Sequence, residues 1–408
     1  MAQECGSRLD LAGLLAAVED APPVAAADVL GERLGDALGA SEVSFLIADF
    51  SGGALIRLGH AGTASATRTQ GRETAERIPL ADSPHGRALA GQSVVVERDA
   101  DHARLFAPVT NRGEAIGLLE LVLPGSPDER TVADVGLAAH ALAYVIIANR
   151  RFTDLFEWGM RSVPLSLAAE IQHRLLPGSY TCEAAQFTLA GWLEPAGNVG
   201  GDTFDFAVER DTLHLSITDA MGHTVQSAVL ATVLVSALRN ARRAGVEIAE
   251  QVSRANRALC SFAGQGEFVT GQVARVDLNA ATATIVNAGH PPPLRLRDGL
   301  AEPVSLPPDL PFGTAPDPSF RVQQLSLRPG DRVVFLTDGM LDRNAAGLDI
   351  EATVVAGASM HPREAVQRLV DAVLDATDGE LADDTTVMCL DWHGGPPRDR
   401  TSASGANR

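Results

Sequence analysis

Hydrophobic and polar positions follow two different rhythms along this chain. Between residues 21 and 123 short runs of each kind alternate. Residues 29–38 carry helical spacing, while 42–48 and 54–58 read as strands joined by the turn Ser51-Gly52-Gly53. Residues 93–97 and 116–123 read as later strands, so this part is expected to form an α+β sheet domain, preceded by an amphipathic helix within residues 1–20.

After Pro124 the rhythm turns helical. Val132, Val135, Ala139, Leu142, Ile146, Asn149, Thr153, Phe156, Met160 and Val163 are spaced alternately by three and four. Such spacing suits the seam of a coiled coil, with Asn149 as a polar position able to fix register, and it equally suits one core helix of the preceding domain. Pro164 interrupts the run, and a second helix over 165–176 stops at Pro177-Gly178. Residues 131–178 are therefore expected to be a helical linker.

From residue 185 the period shortens to that of strands, at 187–193, 212–219, 268–276, 282–287, 331–337 and 385–391. Helical runs at 226–244 and 247–262 lie between the second and third of these, and another at 363–375 precedes the last. This order predicts an α+β sandwich over 179–393. The Gly-, Pro-, Ser-, Asp- and Arg-rich stretch 394–408 is expected to be disordered.

Composition narrows the possible chemistry. With 408 residues, 45% hydrophobic and 21% charged, the chain has the make-up of a globular protein of two or three domains. A net charge of −19 excludes a broad nucleic-acid footprint and favours divalent cations as partners. There is no lysine, which removes the lysine-containing phosphate loop, Schiff-base chemistry and the protein-kinase site. Cys5, Cys182, Cys260 and Cys389 have neither zinc-site spacing nor the density of a disulfide framework, as expected of a protein of the reducing cytoplasm. No signal peptide is read at the start, and the apolar stretch 135–148, interrupted by His140, is expected to be a buried helix and not a membrane span.

The acidic residues carry the chemistry. Asp202 follows Gly200-Gly201, Asp219 and Asp338 close strands, and Asp383-Asp384 precede the last strand. Any one of them alone is best explained as a turn former or helix cap. Several aspartates at strand ends of one domain, without a basic counter-cluster, repel each other unless a cation neutralises them. Hard carboxylate oxygens suit Mg²⁺ or Mn²⁺.

The phrases Asn198-Val199-Gly200-Gly201-Asp202-Thr203-Phe204-Asp205-Phe206, Thr218-Asp219-Ala220-Met221-Gly222-His223, Asn287-Ala288-Gly289-His290-Pro291, Thr337-Asp338-Gly339 and Asp383-Asp384-Thr385-Thr386 occur in the order of the PPM phosphatase motifs. The chain resembles the SpoIIE-like branch of that family, including the lead-in helix phrase Glu170-Ile171-Gln172-His173-Arg174-Leu175. The phrases Gly86-Arg87-Ala88-Leu89-Ala90-Gly91 and Gly117-Leu118-Leu119-Glu120-Leu121 make residues 21–130 similar to GAF sensory domains.

The first resemblance implies an α-β-β-α sandwich that hydrolyses phosphoserine or phosphothreonine in a regulatory protein such as an anti-sigma-factor antagonist. It also implies two Mn²⁺ or Mg²⁺ ions. Asp219 would bridge them, the Ala220 carbonyl and Asp202 would serve the first, Asp338 and Asp383 would complete the second, and Asp384 would not ligate. His223 and His290 are expected to be structural. The chain departs from the family pattern at Ala220, where glycine or valine is usual, and at Thr224, where glycine is usual, and Thr224 is expected to alter the following turn. No cysteine has arginine six positions on and no Gly-x-Ser-x-Gly occurs, which excludes cysteine phosphatases and serine hydrolases of those types. The alternative from another class is an inactive phosphatase-like binding module. A parallel homodimer through the linker would allow the sensory domain to act on the helix at 165–176.

Overall fold

The computed structural model describes residues 9–50, 52–60, 68–70, 73–161, 165–196, 200–222, 224–341 and 347–394. The stretch 395–408 and residues Cys5, Asn198, His223 and Val163, all named above, lie outside them. The chain divides between residues 164 and 165 into two compact units.

The first unit opens with helices α1 (Leu11–Glu19) and α2 (Ala26–Leu38), followed by strands β1 (Glu42–Ala48), β2 (Ala54–His60), β3 (Arg68–Gln70) and β4 (Glu73–Pro79). Helix α3 (Pro84–Gly91), strands β5 (Val95–Arg98), β6 (His102–Asn111) and β7 (Glu114–Pro124), and helices α4 (Glu129–Asn149) and α5 (Leu155–Met160) complete it. The strands form one antiparallel sheet in the order β3-β4-β2-β1-β7-β6-β5. Strands β1 and β7 alternate in register, Phe45 opposite Leu119 and Leu46 opposite Leu118, so successive residues feed the two faces. One face is buried under α2 and α4 and the other under α3, where Leu46, Leu55, Leu89 and Phe106 meet.

Helix α4 settles which of the two readings of the three-four run holds. The Asp128 carboxylate caps it, accepting the Thr131 N–H at 2.8 Å. Val135, Ala139, Leu142 and Ile146 are all buried in the unit's own core with Leu30 and Leu34 of α2 and Leu119 and Leu121 of β7. Asn149 ends the helix and donates its side-chain amide to the Val145 carbonyl at 2.9 Å. The run is thus a core helix, and those positions are not free to form a seam with another chain. At 21 residues α4 is, among the described residues, the one helix long and apolar enough to cross a membrane, and half of that window is buried inside the protein.

The second unit begins with helix α6 (Leu167–Leu175), capped by the Ser166 hydroxyl, which accepts the Ala169 N–H at 3.1 Å. This helix, expected in the linker, buries Ala168, Ala169, Gln172 and Leu175 within the second unit. Strands β8 (Thr181–Glu183), β9 (Phe187–Glu194), β10 (Asp202–Val208) and β11 (Thr212–Ala220) come next, then helices α7 (Val225–Arg243) and α8 (Ile248–Cys260). Strands β12 (Val269–Asp277), β13 (Thr282–Ala288), β14 (Leu294–Arg297), β15 (Leu300–Pro303), β16 (Gln323–Ser326) and β17 (Arg332–Leu336) precede helices α9 (Ile350–Ala356) and α10 (Pro362–Ala376) and strand β18 (Thr385–Trp392).

These strands form two antiparallel sheets, β10-β11-β12-β13-β16 and β15-β14-β17-β18-β9-β8. Phe204, Leu215, Ile217 and Ile285 of the first interdigitate with Leu189, Phe335, Met388 and Leu390 of the second. Each such fully buried side chain contributes about 1.5–3 kcal/mol of hydrophobic free energy. Helices α7 and α8 cover the outer face of the five-stranded sheet through Leu234, Leu238 and Val252, and α9 and α10 cover the six-stranded one through Val354, Leu369 and Val373. The result is the expected α-β-β-α sandwich. Strands β17 and β18 are buried on both faces, which is why they read as continuous apolar runs.

Candidate metal centre

Asp202 is the first residue of β10, and the antiparallel register sets it directly opposite Asp219 near the end of β11. Directly opposed residues have Cβ atoms roughly 4.5–5.5 Å apart, so two carboxylates meet at one sheet end. The paired glycines before Asp202 serve close approach. A Cβ on Gly201 would lie 2.6 Å from the Ala220 carbonyl oxygen, and one on Gly200 would lie 3.0 Å from the backbone of Ala168 in α6. After Ala220, Gly222 takes φ +95°, a left-handed turn that other residues adopt only with strain.

Burial raises the Asp202 carboxyl well above the usual range, and the neighbouring charges of Asp219 and Asp384 push it further the same way. A buried carboxylate among carboxylates ionises only if positive charge is brought to it. Its orientation is nevertheless fixed, because the Thr337 hydroxyl donates to Asp202 Oδ2 at 2.8 Å and accepts the Thr386 N–H at 3.1 Å. Thr337 directly follows β17 and Thr386 belongs to β18, so this chain of hydrogen bonds ties one sheet's acid to the other sheet. Asp338 follows Thr337 directly in a short 3-10 turn, Asp338–Met340.

Asp384 has work of its own. Its carboxylate accepts the backbone N–H of Ala196 at 2.9 Å and of Gly201 at 3.1 Å, together with the Gln172 side-chain amide at 2.6 Å. The same amide of Gln172 donates to the Asp202 carbonyl at 2.8 Å. Asp384 thereby holds the approach to β10 and helix α6, and Asp383, whose Oδ1 accepts the Asp384 N–H at 3.0 Å, stands beside it. Asp219, Asp338 and Asp383 are half-buried where Asp202 and Asp384 are buried, so the first three keep an edge toward solvent. Among the described residues, no set of three His, Cys, Asp or Glu side chains is drawn together tightly enough to hold a metal. The structure pairs Asp202 with Asp219 and leaves Asp338 and Asp383 one residue away from Thr337 and Asp384.

In chemical type the donors fit a hard divalent cation, being carboxylates and a backbone carbonyl at strand ends. Thr224 caps α7 in a reciprocal box, its hydroxyl accepting the Gln226 N–H at 3.1 Å while its own N–H reaches the Ser227 hydroxyl at 3.0 Å. Ser227 also donates to the Gly200 carbonyl at 3.1 Å, so the departure at Thr224 reinforces the junction beside the acids. His290 is buried with its Nδ1 2.9 Å from the Thr270 hydroxyl, and burial depresses its pKa to about 3, which keeps it neutral.

Residues 209–393 match the family model of the Stage II sporulation protein E (SpoIIE). The second unit carries a SpoIIE-family phosphatase domain. Phosphatases of this PPM type are metal-dependent. The match begins after Asp202, whose place in the site therefore rests on the β10–β11 register. The chain is similar to the phosphoserine phosphatase RsbU of Bacillus subtilis (strain 168), 22% identical over 233 residues that cover 55% of this chain and 69% of the relative. It is also similar to the phosphoserine phosphatase RsbP of the same organism, 24% identical over 187 residues that cover 45% of this chain and 46% of that one. Among solved structures it is similar to the RsbU and RsbW domains of Rv1364c from Mycobacterium tuberculosis, with 27% identity, a TM-score of 0.46, and coverage of 52% of this chain and 62% of that one.

Sequence patterning named the acids but not the residues that their carboxylates meet. Thr337 was signalled by the repeated Thr-Asp pairs at 218–219 and 337–338, whose first member Thr218 also meets Thr203, the hydroxyls 2.6 Å apart. Gln172 lay inside the lead-in helix phrase, without a local cue to its partners 30 and 212 residues away. Replacing Gln172 by Met, which keeps side-chain length and helix propensity, removes both bonds. The Mn²⁺ concentration for half-maximal activity is expected to rise by roughly 10–100-fold, the usual cost of losing an outer-shell partner. An unchanged Mn²⁺ titration would show that Gln172 only packs.

Proposed function

We propose that the protein is a metal-dependent protein phosphatase that removes phosphate from phosphoserine or phosphothreonine in a regulatory protein, such as an anti-sigma-factor antagonist. It works in the cytoplasm as a homodimer, with the GAF-like first unit as its sensory part. The observation that carries the enzymatic reading is Asp202 facing Asp219 across β10 and β11, with Asp202 oriented by Thr337 from the opposite sheet. Asp219, the Ala220 carbonyl and Asp202 would hold one Mn²⁺ or Mg²⁺, and Asp219, Asp338 and Asp383 the other. Such ions supply a water acidic enough to attack phosphorus at neutral pH and neutralise charge on the phosphoryl oxygens. The protein's own part is to fix the carboxylates: Thr337 aims Asp202, while Asp384 and Gln172 hold the loop before β10 and helix α6. The half-buried Asp219, Asp338 and Asp383 leave the solvent side open to a phosphorylated side chain.

The alternative is a phosphatase-like binding module without activity, and one observation favours it: among the described residues no group of three His, Cys, Asp or Glu side chains is set to hold a metal ion. A single titration separates the two. With added Mn²⁺, the purified protein is expected to release phosphate from a phosphoserine or phosphothreonine protein, to stop on chelation and to form no phosphoenzyme. Activity that survives chelation, phosphate trapped on a side chain, or no release at any Mn²⁺ or Mg²⁺ concentration would each overturn the enzymatic reading.

A further inference from the structure

Helix α2 and helix α5 lie on the same face of the first unit's sheet and leave a furrow of about 560 Å³ between them. Its floor is apolar, made by Val43 and Phe45 of β1, Leu58 of β2 and Phe156 of α5, of which the first three are only partly buried. Its margins are acidic. Asp28, Glu32 and Asp36 follow one another at four-residue spacing along α2, and Glu42 and Glu73 line it as well; among the described residues, no arginine or histidine lines it. Glu32 and Asp36 sit four residues apart on one helix face, where like charges repel and a cation placed between them is attracted by both. An apolar floor between acidic margins calls for a ligand that is apolar at its tip and positive at its base.

The same unit displays such a group. Directly after α4, Phe152 is 69% exposed and Tyr144 on the last turns of α4 is 54% exposed. The exposed Arg151 places its guanidinium 5.8 Å from the centre of the Phe152 ring. A large apolar ring left in water beside an arginine is the composition of an interface anchor. We propose that the furrow receives the Arg151–Phe152 knob of a second copy of this chain. Phe152 covers the floor at Val43, Phe45 and Leu58, while Arg151 faces the acidic row on α2.

Adjacency on the chain argues for a closed pair. The knob lies just before α5, whose Leu155 and Phe156 line the furrow, so a two-fold axis near α5 lets each copy fill the other's furrow. Such a reciprocal contact closes at two subunits. With a net charge of −19 on each chain, two copies repel overall, and an arginine docked among carboxylates supplies the local attraction that orients the encounter. The inference rests on the homodimer reading and not on the phosphatase chemistry, so phosphate release can persist where this interface fails.

Sedimentation equilibrium of the full-length protein at micromolar concentrations tests it. The wild type is expected to be a dimer. Phe152→Ser and Arg151→Glu should each raise its dissociation constant at least tenfold, with unchanged far-UV circular dichroism and melting temperature because both side chains are exposed. Combining Arg151→Glu with Glu32→Arg should restore most of the affinity, since each interface then regains an opposite-charge pair. A monomer throughout that range would overturn both the homodimer and this interface. A dimer whose dissociation constant ignores Phe152→Ser and Arg151→Glu would overturn the interface alone.

Discussion

Asp219→Asn and Asp338→Asn are each expected to abolish most phosphate release, by more than the roughly 10–100-fold that loss of an outer-shell partner costs at a metal site. Each change keeps the shape of the side chain and removes one unit of ligand charge, so a loss reports charge and not packing. Both residues are half-buried at strand ends, which limits the cost to folding. The measurement is phosphate release across an Mn²⁺ titration together with the melting temperature of each variant. A variant that keeps near wild-type rates at every Mn²⁺ concentration would remove that residue from the proposed site.

The largest effect on stability is expected at Asp205, a residue of the same Gly-Gly-Asp-Thr-Phe-Asp phrase. Its carboxylate takes Arg239 Nη2 at 2.7 Å and Arg242 Nη1 at 2.9 Å, joining β10 to α7. Arg239 also donates to the Leu175 carbonyl at the end of α6, at 2.6 Å. The Asp205 side chain is 5% exposed and those of Arg239 and Arg242 are 21% and 12% exposed, so the pairs are mostly shielded from water. Deleting one partner of a buried ion pair strands the other charge, which costs about 3–5 kcal/mol. Because these arginines keep some solvent contact, the lower figure applies. Asp205→Ala should therefore lower the melting temperature by about 6–12 °C at the ~2–4 °C per kcal/mol typical of a unit of this size. The transition to follow is the one that Mn²⁺ shifts upward, which assigns it to the second unit. A shift under about 2 °C would mean that water already solvates these charges.

Much of this protein was legible before any fold was considered. Strands at 42–48, 187–193, 212–219 and 385–391 lie within a residue or so of β1, β9, β11 and β18, because a strand buried on one or both faces repeats or runs on in apolar residues whatever its neighbours are. The acids were legible for a related reason. Asp219 and Asp338 follow apolar runs at points where a polar residue ends a strand, and several such endings in one stretch of chain imply a shared charge partner.

What tertiary structure alone decided concerns pairings across distance. A seam repeat of 3.5 and a core helix of 3.6 residues per turn drift apart by only ~20° per heptad, so over the 21 residues of α4 one pattern fits both. The sheet beneath it made the choice by burying Leu142 and Ile146. Likewise the family resemblance set Asp384 apart from Asp383 without giving it a task, and the fold supplies one by committing its carboxylate to Ala196, Gly201 and Gln172 while Asp383 keeps a solvent edge. Local sequence determines which elements form and where their polar ends lie. Which of those ends meet depends on packing between segments far apart in the chain, as when Gln172 reaches Asp384 across 212 residues.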